Sequence, residues 1–238
     1  KRSLNPDLLA RLLAAGISVA AANYRLTDTA PFPAPMHDAG RAVQHLRRHA
    51  NRYGHDPARV GATGGSAGAG ISLWLAFHGD LARPADEDPI ARESTRLSCA
   101  VVYGGQSTYD PRVNRKLFDT TKMHPALAPF YGMKDATEVD DPRYVPLYEE
   151  ASPITHLSAG DPPVYLFYPQ PNEPLAPNST GAKHIHHPIF GFHLAERAQQ
   201  VGVTCVLRLR EDVGGRAPID EFVAFFTRNL GKKDAAGR

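Results

Sequence analysis

Apolar positions along the chain follow helical and strand periods in turn. Leu8, Leu9, Leu12 and Leu13 share one face of a 3.6-residue repeat. Asn5-Pro6 ahead of them supplies an N-cap with proline at the first helical position, and Gly16 supplies a stop. Residues 17–23 then run as a continuous small-apolar stretch, the pattern of a strand buried on both faces. After a proline-rich connection over 27–35, Ala39, Val43, Leu46 and Ala50 predict a second helix, which Gly54 closes. Apolar runs at 59–63, 97–103, 163–168 and 203–209 read as strands. Helices are predicted through Ile71, Leu73, Trp74 and Leu75, over 188–200 and over 219–230. Strands alternating with helices imply an α/β fold, a parallel sheet covered on both faces.

Two stretches break the alternation. From 104 to 161 the periodicity weakens while proline, aspartate and aromatic residues accumulate. This predicts an insertion over the strand ends, a cap that shapes a pocket, within a single domain spanning 1–238; the competing reading is a long loop packed at the side. Residues 169–187 hold turn-forming proline and asparagine and predict irregular structure, and 83–93 reads as a charged surface loop.

The stretch with the most specific chemistry is Gly64-Gly65-Ser66-Ala67-Gly68, a G-x-S-x-G sequence between a predicted strand and a predicted helix. In that context the motif is a nucleophile elbow: the serine sits in a strained turn with its hydroxyl above the sheet. Glycines on either side let backbone approach without a Cβ clash. The helix starting there turns its positive end toward charge developing on an attacked carbonyl. A phosphate cradle would need the Lys-Ser/Thr ending of a P-loop or G-x-G-x-x-G spacing, and neither is present.

Composition changes this picture little. The chain has 238 residues, 42% hydrophobic and 22% charged, enough for a sizeable core. A net charge of +2 with both signs interspersed gives no basic face for nucleic acid, and Arg47-Arg48 and Lys232-Lys233 read as solvated helix ends. Cys99 and Cys205 each lie in a strand-like run and read as buried free thiols. No apolar run approaches the ~18 residues of a membrane span. Lys1-Arg2 ahead of an apolar stretch superficially suggests a leader, but Pro6, Asp7 and Arg11 interrupt it, and helix followed by strand accounts for it better.

Further stretches join the elbow in a resemblance. Ala22-Asn23-Tyr24-Arg25-Leu26 with Pro31-Phe32-Pro33 and Asp38, Asp56-Pro57-Ala58-Arg59-Val60 before the elbow, and Ser152-Pro153-Ile154 before Pro162-Pro163-Val164 are similar to the carboxylesterase and hormone-sensitive-lipase-like branch of the α/β-hydrolase fold. The resemblance implies a three-layer sandwich and a Ser–acid–His triad in that chain order. It implies hydrolysis of a small-molecule carboxylic ester without a cofactor or catalytic metal. Ser66 takes the nucleophile's position and the Ala67 N–H one oxyanion-hole position. It says nothing of oligomeric state or compartment.

Three departures accompany it. The branch's H-G-G-G segment precedes the helix that here begins near Asn5 and is absent from this sequence, which leads to the expectation of a piece of a longer protein. An oxyanion donor is worth about 3 kcal/mol of barrier. The acid's loop, 169–174, offers only Glu173, with Asn172 as a possible remnant and Asp110 as a substitute position. The loop where the branch carries its histidine, 211–216, has none. The remaining candidates are His184, His186, His187 and His193. His187 is the nominated base, and capping the helix near Pro188 is the expected role for most of the others. A metal site at 184–187 is disfavoured for want of a carboxylate or cysteine at ligand spacing. These departures predict weak or absent catalysis by the chain as given.

Overall fold

The structure, a computed structural model, describes residues 4–176 and 179–231, so Lys232-Lys233 lie outside the described residues. Helix α1 (Pro6–Ala14) starts where expected, the Asn5 side chain accepting from the N–H groups of Asp7 and Leu8. Helices α2 (Ala34–Arg48) and α3 (Ala50–Tyr53) follow, and Gly54 stops the second with φ of 68°. Strand β1 (Gly61–Gly65) leads into α4 (Ala67–Phe77), and β2 (Cys99–Tyr103) comes next. Residues 104–161 hold α5 (Pro111–Phe118), α6 (Leu127–Phe130), α7 (Val145–Ala151) and α8 (Pro153–His156), with 3₁₀ turns at Ala136–Asp140 and Pro142–Tyr144. Strand β3 (Val164–Tyr168), α9 (Gly181–His184), α10 (Ile189–Val201), β4 (Cys205–Leu209) and α11 (Ile219–Leu230) complete the order.

The strands form one parallel sheet in the order β1-β2-β3-β4, with Gly61 beside Cys99, Ala100 beside Val164 and Val164 beside Cys205. Side chains alternate across a strand, and here the parity separates two cores. Ala100, Val102, Val164, Leu166 and Tyr168 meet Met36 and Val43 of α2, Leu73 of α4 and Leu194 of α10. Cys99, Val101, Tyr165 and Phe167 meet Leu8 and Leu12 of α1 and Phe222, Phe225 and Phe226 of α11. The result is a helix–sheet–helix sandwich whose central strands are buried. The cysteines sit on β2 and β4 unpaired; Cys99 is buried and Cys205 half-buried.

Residues 17–23 are not a strand. They are largely exposed, with only Ile17 and Val19 reaching an apolar cluster. A strand needs a neighbour for its N–H and C=O groups, and among the described residues no strand pairs with this stretch. The chain just beyond it is pinned instead by charge. Asp38 of α2 accepts from the Arg25 backbone N–H at 2.9 Å and from the guanidinium at 2.8 and 2.9 Å, which holds its carboxyl below the ordinary range. Arg47 is likewise not a solvated helix end. It is half-buried and donates to the carbonyls of Pro57, Ser94 and Arg96.

Candidate active site

Ser66 stands between β1 and α4 with φ of 52° and ψ of −118°. A non-glycine residue there stores about 1–3 kcal/mol of strain, held by its surroundings. The Ser66 N–H donates to Tyr103 O at 3.1 Å, and Ser66 O accepts from Ala69 and Gly70 in the first turn of α4. The glycines before the serine permit this turn: a Cβ on Gly64 would lie 2.5 Å from the Gly68 carbonyl, and one on Gly65 would overlap the Tyr103 ring. Gly68, by contrast, faces open space, so its Cβ is not what the turn excludes. Ala67 opens the helix, and its N–H is among those with no intrahelical acceptor.

His186 Nε2 lies 2.7 Å from Ser66 Oγ. In the arrangement that allows proton removal the hydroxyl donates and Nε2 accepts, which requires the neutral imidazole. The ring packs over Gly104, where a Cβ would lie 3.5 Å from His186 Cδ2; Gly104 itself turns the chain after β2 with φ of 58°. The buried Gln106 side chain donates to Ile185 O. Tyr168 Oη donates to Gly105 O at 2.7 Å, and Ser107 Oγ lies 3.2 Å from His193 Nδ1. The loops following β2 and β3 are thus tied together, and His186 is carried between the ties. Burial, then the nearby His124, lowers its pKa from the ordinary 6.5.

His187, the residue expected as base, points elsewhere. Its Nδ1 accepts from the Ile189 N–H at 3.1 Å and its Nε2 lies 2.9 Å from Glu173 O. With Nδ1 accepting, Nε2 carries the proton and donates, so both ring nitrogens are committed to capping α10 and anchoring the 173 turn. Capping was the expected role for the other histidines of this run. Adjacent residues in a turn cannot both face the serine, and the one two positions before the first N–H of α10 is placed to cap it. That spacing is the signal that separates His187 from His186.

The carboxylates are not where the triad needs one. Glu173 is exposed and engages His187 through its backbone oxygen. Asn172 is also exposed, its N–H donating to Glu211 at 3.2 Å. Asp110 is buried, caps α5 and binds the Arg112 guanidinium at 2.6 Å. Among the described residues no carboxylate hydrogen-bonds His186. A cavity of about 420 Å³ between α1 and α11 borders Tyr103 and Phe167 but includes neither Ser66 nor a histidine. Residues 104–161 meet the segment that carries His186: a Cβ on Gly181 would lie 3.0 Å from the His124 Cα, and the Phe118 ring meets those of His184, His187 and Phe190.

A strained serine hydrogen-bonded to a neutral imidazole at a helix N-terminus can attack an acyl carbon and stabilise the resulting oxyanion. Known proteins of this kind resemble the chain. The model of the BD-FAE family matches residues 1–180. "Probable carboxylic ester hydrolase LipM" of Mycobacterium tuberculosis is 31% identical over 179 residues, 74% of this chain and 38% of the relative. Esterase LipQ of the same organism is 28% identical over 181 residues, 75% of this chain and 40% of the relative. The chain therefore spans about two-fifths of the length of these relatives. The acetyl ester-xyloside bifunctional hydrolase of Caldicellulosiruptor lactoaceticus superposes with a TM-score of 0.68 at 20% identity, over 93% of this chain and 74% of that one. At that identity the likeness is one of fold.

Proposed function

The chain belongs to the BD-FAE family, and on that premise we propose that it hydrolyses small-molecule carboxylic esters with Ser66 as nucleophile and His186 as general base. The observation that carries the proposal is the 2.7 Å approach of His186 Nε2 to the hydroxyl of a serine at positive φ. Ser66 Oγ bonds to the acyl carbon as its proton passes to His186 Nε2. The Ala67 N–H, at the positive end of α4, faces the oxyanion. The imidazolium then protonates the departing alcohol. Water attacks the acyl carbon, giving its proton to His186; the acyl–Oγ bond then breaks as the imidazolium returns that proton to Ser66 Oγ, releasing the acid. Residues 104–161 serve as the cap, with the segment around His124 as its wall nearest His186.

A second reading, an elbow kept for binding without turnover, is favoured by one observation: among the described residues His186 has no carboxylate to orient it. An absent orienting acid costs about 10⁴ in turnover. Both readings meet one assay, hydrolysis of short-acyl 4-nitrophenyl esters by the protein and its variants. Ser66→Ala and His186→Ala are each expected to remove activity by about 10⁴ or more. His187→Ala keeps the base and costs about 1 kcal/mol of stability through the lost cap. Glu173→Gln leaves the rate near wild type; a loss of about 10⁴ would assign it the third position. Hydrolysis indifferent to Ser66→Ala would overturn Ser66 as nucleophile, and no hydrolysis above background by the wild-type protein would establish the binding reading.

A further inference from the structure

The opposite end of the elbow helix carries a second cluster. His78 closes α4, Glu150 lies in α7 and His156 ends α8. One ligand atom from each lies within 4.8 Å of the others. We propose that these residues bind a divalent transition ion, Zn²⁺ by the chemistry of the donors, which clips α4 to the insertion.

The hydrogen bonds around the cluster set the tautomers such a site needs. His156 Nε2 lies 2.8 Å from Glu150 O, so Nε2–H donates and the Nδ1 lone pair is left free. His78 Nδ1 lies 2.8 Å from Gly79 O, so Nδ1–H donates and the lone pair sits on Nε2. That lone pair faces Glu150 Oε1 at 2.9 Å. The 2.9 Å spacing is that of a shared proton; a metal ion taken up by both atoms replaces that proton, the two opening slightly to accept bonds of about 2 Å. Metal-binding imidazoles characteristically give their other N–H to a backbone carbonyl, and both rings do so here. Two imidazoles and one carboxylate are a Zn²⁺ donor set, with a remaining position open to water beside the half-exposed Glu150.

The surroundings hold the donors in place. Trp74 Nε1 donates to Glu150 O at 2.8 Å, and the Arg96 guanidinium donates to His78 O at 3.0 Å. The Trp74 ring stacks on His78 with centroids 3.9 Å apart. His78 stands one helix length from Ser66, about 18 Å at 1.5 Å per residue. The ion is therefore a structural clip, anchoring the far end of the helix that carries the elbow. Binding to the folded state alone raises thermal stability.

Trp74 is the chain's one tryptophan, so its emission reports this site directly. The full chain, stripped with chelator, is titrated with Co²⁺ alone and then with Zn²⁺. Saturable quenching at one Co²⁺ per chain is expected, with recovery as Zn²⁺ displaces it and a rise in Tm. Glu150→Gln and His156→Gln should each weaken both metals by about tenfold or more. His45→Gln/His49→Gln, at a separate pair on α2 and at its end whose rings lie 4.3 Å apart, should change nothing. Quenching that rises without saturation, or that survives Glu150→Gln and His156→Gln, overturns the site. Glu150→Gln, altering a half-exposed side chain, decides the matter if His156→Gln fails to fold.

Discussion

Ser66 and His186 meet through a bond that serves proton removal only while the imidazole is neutral. Protonation of His186 abolishes the acceptor, so kcat/KM falls as pH drops through the His186 pKa and is flat above it. Burial and the charge of His124 set that pKa below the ordinary 6.5. The acid limb should therefore have its midpoint below 6.5, and His124→Gln should move it upward by removing the like charge. A pH profile for each protein checks this; a wild-type midpoint above 6.5 would count against His186 as base. At this scale the run 184–187 was legible as the source of a histidine. Which ring faced the serine was not, because it depends on where α10 begins and on Gln106 pulling Ile185 toward the loop after β2.

At the scale of elements, the strand–turn–helix unit is the most closely packed part of the site. A methyl on Gly65 would overlap the Tyr103 ring, whereas one on Gly68 meets nothing within 4 Å. Gly65→Ala should cost about 1–3 kcal/mol by overpacking, while Gly68→Ala, inside α4, should be neutral or stabilising by up to about 1 kcal/mol. Urea unfolding of both variants checks the contrast, and equal losses would show that the motif's glycines act alike. Residues 17–23 show the opposite case. Their apolar run is real, yet they form no strand because pairing is a property of two stretches and not of one.

At the scale of the whole molecule, the described residues form a four-stranded parallel sheet between two helical layers, the α/β-hydrolase type of the chain's structural neighbours. No helix among the described residues is long and apolar enough to cross a membrane. Its cohesion comes from the two apolar faces of β2 and β3 and not from cross-links, since both cysteines are free. Burial pushes each thiol up to about 12. Thermal unfolding should thus be the same with and without reductant, and neither thiol should react with an aromatic disulfide reagent at neutral pH until the chain unfolds. Rapid native labelling, or a Tm that falls with reductant, would contradict the packing described.

What the sequence by itself determined is whatever a few neighbouring residues decide: the helix starting at Asn5-Pro6, the strands at β1 to β4, and the elbow around Ser66. Periodicity and backbone freedom are local, so they can be read along one stretch. Only the tertiary structure decided which distant groups meet. It placed His186 on Ser66 across 120 positions, left Glu173 facing solvent, and gathered His78, Glu150 and His156 at the end of α4. Those meetings depend on which loops are tied over which strand ends. No periodicity records that, because each tie joins groups far apart in the chain.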